Sequence, residues 1–196
     1  MNFLFDNHPM LNVLNWQEEA TEAGIRNSNA ASLATVDLKG QPQVRMVLIK
    51  EIKENGLVFY TNANSNKVDS LKANNLAAIC FYWEKTRKQI RVEGSVIEID
   101  DDESDKYFNS RSRSSQIGAW ASNQSQLLDS REKLEERFNS FSEKFSNLNI
   151  PRPSYWKGYR LTPKKIEFWL ERESRLHDRI EYKIDGLNWN HRFLFP

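Results

Sequence analysis

Apolar and polar residues alternate with a period of two along much of this chain, and a few stretches of helical period interrupt the alternation. Ala30–Asp37, Gln43–Lys50, Leu57–Thr61, Leu76–Trp83 and Gln89–Ile99 read as strands. Lys39-Gly40 and Asn55-Gly56 supply turns between them, the second being a strong hairpin signal. Within Gln89–Ile99 the apolar positions run Ile90, Val92, Val96 and then change phase to Ile97 and Ile99. That slip predicts a bulge or bend near Gly94, a device barrels use to close.

The helical stretches are fewer. Met10–Ala23, with Leu11, Leu14 and Ala23 as apolar positions and Gly24 after it, predicts an amphipathic helix with a glycine stop. Ser65–Asn74 reads as a short helix with Ser65 as N-cap, Asp101–Ser110 as a helix and Gln116–Ala121 as a helical turn. Ser130–Phe145 places Leu134, Phe138, Phe141 and Phe145 on one face. After a Pro-containing linker at Asn149–Ser154, strands are predicted at Tyr155–Leu161, Lys165–Leu170, Arg179–Ile184 and Leu187–Phe193, with an Asp185-Gly186 turn. Many short strands with hairpin turns, interrupted by helices, favour an antiparallel β-barrel of α+β class over a doubly wound sheet. The expected organisation is an N-terminal helical segment, residues 1–28, ahead of one barrel domain, residues 29–196.

Composition narrows the function. At 196 residues the chain is long enough for one continuous core. A mean hydropathy of −0.72 and 28% charged residues give a cytosol-like composition with no membrane span expected. Met1–Leu14 carries Asp6 and His8 and lacks the basic and apolar regions of a secretion signal. Cys80 is the only cysteine, which excludes an internal disulfide and a cysteine-based zinc site, and the three histidines have no metal-site spacing. A net charge of +1 argues against a barrel that binds nucleic acid through Arg91, Arg111 and Arg113, so any anion site is local.

Four segments could build such sites. In Gln43–Lys50 both alternating faces are mainly apolar, so a strand covered on both sides is expected, with Arg45 in a position that demands a carboxylate or a bound anion. Lys50, on the opposite face, could serve a second anion. Tyr60-Thr61 leads through a polar loop into the helix start at Lys67, a phosphate seat if the free amides face a ligand. Tyr107, Arg111 and Ser115, four residues apart, would share a helix face if the chain keeps turning, and all three donate hydrogen bonds. In Arg175-Leu176-His177-Asp178-Arg179, strand-like alternation would set Arg175, His177 and Arg179 on one face. Trp169 could wall a planar ligand, and Gln89, Gln124 and Ser125 could read its edge. Each segment also has a plain structural explanation; it is their combination that points to a site for anions.

Taken together, RMVLIK (Arg45–Lys50), VFYTN (Val58–Asn62), YFNSR (Tyr107–Arg111), SQIGAW (Ser115–Trp120), IEFW (Ile166–Trp169) and RLHDR (Arg175–Arg179) closely resemble the pyridoxamine 5′-phosphate oxidase family from about Asn29 onward. The resemblance implies an FMN-binding split β-barrel of Greek-key type with peripheral helices, forming a homodimer with the flavin at the subunit interface. It implies oxidation of pyridoxine 5′-phosphate or pyridoxamine 5′-phosphate to pyridoxal 5′-phosphate, with hydride passing to FMN and dioxygen reduced to hydrogen peroxide. By matching position, Arg45 and Lys67 hold the flavin phosphate, and Met46, Val47, Leu48, Ile49, Lys50, Tyr60 and Thr61 line the cofactor. Gln89, Gln124, Ser125, Trp169 and Arg179 complete that site, some of them from the partner subunit. Lys50, Tyr107, Arg111 and Ser115 grip the substrate phosphate, while Arg175, Leu176 and His177 lie at the pyridine ring, with Arg175 and His177 as the catalytic pair.

This sequence departs from the family pattern in two places. Asn66 stands where relatives commonly carry an arginine before the lysine that matches Lys67. Many relatives also have an upstream basic and aromatic segment that folds over the substrate, which Met1–Leu14 does not match. A flavin-binding split-barrel reductase, or a cofactor-binding relative without oxidase activity, is the alternative.

Overall fold

The computed structural model describes residues 8–196. Among these, five helices and nine strands follow the order α1 (Pro9–Glu22), β1 (Ala30–Val36), β2 (Pro42–Leu48), β3 (Glu51–Lys53), β4 (Gly56–Asn62), α2 (Asn66–Ala73), β5 (Leu76–Trp83), β6 (Lys88–Glu98), α3 (Asp101–Ser110), α4 (Arg113–Ala121), α5 (Arg131–Lys144), β7 (Trp156–Leu170), β8 (Asp178–Asp185) and β9 (Asn188–Leu194). The first seven residues, half of the segment read for a secretion signal, lie outside the described part. No described helix is long and apolar enough to cross a membrane.

All strand pairs are antiparallel, and the sheet runs β2-β1-β5-β6-β7-β4-β3 with β8 and β9 added beside β7. β7 is the pivot. Its first half, Trp156–Leu161, pairs with β4, and its second half, Lys165–Leu170, pairs with β8, while β6 runs along its other side. The sheet therefore forks near Thr162. The expected bulge lies there: the β6–β7 register shifts between Glu93 and Gly94. A side chain on Gly94 would meet the Thr162 carbonyl oxygen at 2.0 Å, so only glycine lets the two backbones approach this closely. Tyr155–Leu161 and Lys165–Leu170, read separately from sequence, are one fifteen-residue strand, because the chain bends at the fork without a turn.

The core fills the inner face. Leu33, Ile79, Phe81, Trp83, Ile90 and Phe168 point into it from the strands, and α1 covers it with Met10, Val13, Trp16 and Ala20. Truncating Phe81 or Phe168 to alanine costs about 3–5 kcal/mol. α1 forms where expected, but its buried stripe is not the Leu11, Leu14, Ala23 set: Leu11 and Ala23 are exposed, and Trp16 anchors the helix edge-on to Phe168. A second cluster, Phe108, Ile117, Phe145, Ile150 and Trp156, joins α3, α4 and α5 to the start of β7.

One expectation about β2 is overturned. A strand covered on both faces was expected, yet Val44, Met46 and Leu48 are 70%, 63% and 43% exposed, because β2 is the last strand of its sheet and no described element overlies its outer face.

Candidate functional site: two adjoining cation seats

The first seat forms where β2, β4 and α2 converge. Arg45 is half-buried and donates to the Leu33 and Gln43 carbonyls, the Thr35 hydroxyl and the Gln43 side-chain oxygen, all neutral acceptors. Lys67, only 8% exposed, donates to Thr61 Oγ1 at 3.1 Å and Ser65 Oγ at 3.0 Å. Burial, and after it the charge of Arg45, push the Lys67 ammonium down to about 8. Burial likewise lowers Arg45. Among the described residues no carboxylate pairs with either cation. Two desolvated cations that repel each other around neutral oxygens are costly unless an anion completes the site.

The helix start contributes as expected, with one difference. Ser65 occupies the N-cap position of α2, but its hydroxyl donates to the Asn62 carbonyl and accepts from Lys67 instead of capping the helix amides. The loop after α4 closes the seat. Gln124 Oε1 accepts from Thr61 Oγ1 at 2.9 Å and from the Asn62 amide, and Ser125 Oγ accepts from the Asn66 amide. Ser125 adopts a left-handed backbone, φ 70°, to do so. Arg137 of α5 holds this loop by donating to the Ala121 carbonyl and the Asn123 side chain.

The second seat adjoins the first through consecutive β4 residues, Tyr60 and Thr61. The Tyr60 ring stacks on Tyr107 at 4.2 Å and on Trp156 at 5.0 Å. Lys50 Nζ lies 6.0 Å from the Tyr107 ring centre. The Arg111 guanidinium lies 4.8 Å from Trp156 and 5.6 Å from Phe108, and its buried Nη1 meets no hydrogen-bond acceptor. Burial lowers its pKa from the usual arginine value. The expectation that Tyr107, Arg111 and Ser115 share one helix face is corrected. α3 ends at Ser110, Arg111 takes an extended conformation with ψ 152°, and Ser112 starts α4 as an N-cap. The break turns Arg111 inward beneath Trp156 and puts Ser115 in the first turn of a new helix, where free amides point outward. Within the chain Ser115 accepts from the Ser112 hydroxyl at 2.8 Å, and no contact joins it to Arg111.

A third group lies elsewhere. Gln89, Trp169 and Arg179 are cross-strand neighbours on β6, β7 and β8. The Trp169 ring lies 4.6 Å from that of His177, and His177 Nδ1 accepts from the Arg172 amide at 3.2 Å. Neutral His177 therefore carries its proton on Nε2. Continuous strand alternation through Arg175–Arg179 is not found. Glu173–Arg175 is a short helical turn in which Ser174 and Arg175 both have positive φ, 54° and 61°, and β8 begins only at Asp178. Two successive left-handed residues without glycine store strain at this loop. Arg179 is bound on both sides of Glu167, Nε to Oε1 at 3.0 Å and Nη2 to Oε2 at 3.1 Å, and also reaches the Phe195 carbonyl. Glu167 pairs with Arg91 as well.

Among the described residues no hydrogen bond, ion pair or ring contact joins this third group to the two seats. On β7, Trp169 is separated from Gly158, the partner of Tyr60, by roughly 35 Å of extended strand. Met46 and Leu48 point outward, whereas Val47 and Ile49 pack inward with the core. Sequence reasoning named Ser65 only as a helix N-cap and did not single out Trp156 or Glu167. Glu167 carried a signal, a lone carboxylate in the apolar run Ile166–Leu170 that needs a buried cation, but Trp156 looked like any core aromatic.

Residues 17–145 match the pyridoxamine 5′-phosphate oxidase family, and residues 156–196 match the pyridoxine 5′-phosphate oxidase C-terminal dimerisation region. The chain belongs to the pyridoxamine 5′-phosphate oxidase family. A pyridoxine/pyridoxamine 5′-phosphate oxidase of Rhodospirillum rubrum is 44% identical over the full length of both chains. One from Agrobacterium fabrum is also 44% identical, over 100% of this chain and 96% of its own. The crystal structure of PhzG from Burkholderia lata, solved with tetrahydrophenazine-1-carboxylic acid, superposes with a TM-score of 0.92 at 31% identity, covering 97% of this chain and 94% of PhzG. An FMN-binding protein of Nostoc punctiforme shares the fold, with a TM-score of 0.77 at 18% identity over 98% of this chain and all of its own. The barrel expected from the strand pattern is thus the family's split barrel. As a family member the chain is a flavoprotein oxidoreductase with FMN as cofactor, and it forms a homodimer.

Proposed function

We propose that this protein oxidises pyridoxine 5′-phosphate and pyridoxamine 5′-phosphate to pyridoxal 5′-phosphate. The observation that carries the proposal is the pair of cation seats meeting at Tyr60-Thr61, one for each of two phosphate-bearing reactants; among the described residues no carboxylate pairs with Arg45, Lys67, Lys50 or Arg111, although Glu51 and Glu103 lie near the Tyr60 hydroxyl and raise its pKa. The first seat fits the flavin phosphate. Its donors are Arg45, Lys67 and Thr61, with Gln124 and Ser125 bracing the loop, and a dianion removes the mutual repulsion of the two cations. Asn66, in place of the usual arginine, leaves Lys67 and Arg45 with the larger share of that charge. FMN, when bound, would supply the redox chemistry, a hydride acceptor for the 4′ carbon that dioxygen reoxidises with release of hydrogen peroxide; the pyridoxine ester would give the aldehyde directly, and the imine from the pyridoxamine ester would take up water and release ammonia.

The protein's own residues bind and orient. Lys50, Tyr107, Arg111 and Ser115 hold the substrate phosphate, so that the pyridine ring is fixed by its ester arm. Arg175 stays protonated and orients the ring while countering developing negative charge. His177 has Nδ1 occupied by the Arg172 amide, so its neutral form offers Nε2–H as a donor to the substrate's polar substituents.

Gln89, Trp169, Arg175, Leu176, His177 and Arg179 come from the second subunit in this proposal. The distance along β7 supports that division, and the bare stripe of Val44, Met46 and Leu48 offers an apolar surface for the second copy. The test is an aerobic assay with each phosphate ester, read as peroxide release, beside the visible spectrum of the purified protein. A yellow protein that yields pyridoxal 5′-phosphate and peroxide supports the proposal. A yellow protein that releases no peroxide with either ester overturns it and favours a flavin-binding relative of different activity.

A further inference from the structure

We propose that Trp156 is the positioning residue of the substrate-phosphate seat, the shelf on which Arg111 and Tyr107 are set. The inference rests on the assignment of that seat to the substrate phosphate. Arg111 has left the helix and among the described residues has no ion pair, and its guanidinium lies against the faces of Trp156 at 4.8 Å and Phe108 at 5.6 Å. A desolvated guanidinium over an indole is held by the ring's negative face, which leaves its N–H groups available. Its buried, unpartnered Nη1 is such a group.

The same indole sets Tyr107. Trp156, Tyr60 and Tyr107 are nearly parallel, with interplanar angles of 7°, 14° and 9° and centroid separations of 5.0, 4.2 and 6.1 Å. Trp156 and Tyr60 are fixed by the β4–β7 register, in which Trp156 pairs with Asn62 and Tyr60 with Gly158. The two phosphate donors at the end of α3 thus take their orientation from a plane laid down by the sheet. Trp156 is 7% exposed and sits in the second core cluster, so it acts through Arg111 and Tyr107.

The test uses the flavin-loaded enzyme with Trp156→Leu, Trp156→Phe, Arg111→Ala and the double variant Trp156→Leu/Arg111→Ala. KM and kcat for pyridoxine 5′-phosphate and Ki for inorganic phosphate are measured. Trp156→Leu is expected to raise KM and Ki by about tenfold with kcat within about twofold, and Trp156→Phe, which keeps a ring face, to recover most of the loss. The double variant is expected to lose less than the sum of the two single losses, because Trp156 acts in part through Arg111, the remainder being the part that runs through Tyr107. Wild-type KM and Ki in Trp156→Leu, or fully additive effects in the double variant, overturn the inference. If Trp156→Leu does not fold, wild-type KM and Ki in Trp156→Phe support the shelf, which needs only a ring, and equal tenfold losses there overturn it. Arg111→Ala with unchanged KM instead removes the assignment of the seat itself, so the two failures are separable.

Discussion

Lys67 Nζ and Thr61 Oγ1 lie 3.1 Å apart in a buried seat whose other nearby cation is Arg45. The ammonium is pushed down to about 8 from 10.5 by burial and then by Arg45, and both effects have consequences for pH. Below about pH 8 the folded and unfolded chains both carry the proton. Between about 8 and 10.5 the unfolded chain binds a proton that the folded apoprotein has lost, so this group makes apoprotein stability rise with pH. Flavin affinity moves the other way, because the phosphate favours the protonated lysine. FMN binding is expected to be flat up to about pH 8 and then to weaken by up to about tenfold per pH unit. Fluorescence titration of apoprotein with FMN checks this, with Lys67→Met expected to bind weakly and without the slope. Wild-type affinity that stays level to about pH 9.5 rejects the role given to Lys67.

Much of this site was legible in the sequence, for a physical reason. Arg45 within an apolar strand and Lys67 at a helix start are charges whose burial or helix position can be read from their neighbours, and no carboxylate among the described residues pairs with either. The bulge at Gly94 was legible because a two-residue period cannot change phase silently. Less legible was anything set by distant packing. Periodicity carried Tyr107, Arg111 and Ser115 on one helix, whereas the chain breaks at Arg111 to place the guanidinium under an indole forty-five positions later. The exposure of Val44, Met46 and Leu48 was hidden for a related reason, since strand order decides which strand is the edge.

His177 and Arg175 are expected to affect chemistry more than cofactor binding. In His177→Ala and Arg175→Ala, stopped-flow flavin reduction should slow by about tenfold or more while FMN content stays near wild type. His177→Gln, whose amide nitrogen reaches the level of the imidazole Nε2, retains a donor in place of Nε2–H and should lose less than His177→Ala if donation is the role. Reduction at the wild-type rate in both alanine variants removes these residues from the catalytic assignment.

Glu167 holds Arg91 and Arg179 together on three neighbouring strands at 3% exposure. Burial pushes its carboxyl up, but the hydrogen bond from Arg179 and the charges of Arg91 and Arg179 outweigh this and leave it below the ordinary value. A depressed carboxylate stabilises the fold at neutral pH, and that contribution is lost as pH falls through its folded pKa. Glu167→Gln keeps the shape and removes the charge. The cost is about 1–3 kcal/mol, at the low end for a broken buried pair because Arg91 and Arg179 retain some contact with water. Urea unfolding at neutral pH checks the magnitude. The gap between wild type and variant should narrow in acid, and a gap independent of pH contradicts the ion-pair explanation.

Gly158 links the fold to the substrate seat. A Cβ there would stand 2.5 Å from Ile99 Cδ1 and 2.7 Å from Tyr60 Cε1. The Ile99 methyl can swing away, but the Tyr60 ring is stacked against both Tyr107 and Trp156 and cannot move without disturbing them. Gly158→Ala should therefore destabilise the protein by about 1–3 kcal/mol, each kcal/mol lowering Tm by about 2–4 °C, and should raise the substrate KM. Ile99→Val, added to Gly158→Ala, removes the Cδ1 contact and leaves those with the Cγ1 of residue 99 and with Tyr60 Cε1, each 2.7 Å from the new Cβ. It should recover part of the stability while leaving KM high, because the displaced ring is the one next to the phosphate donors. Recovery of both together would trace the whole effect to Ile99 and leave Tyr60 with no part in aligning the seat.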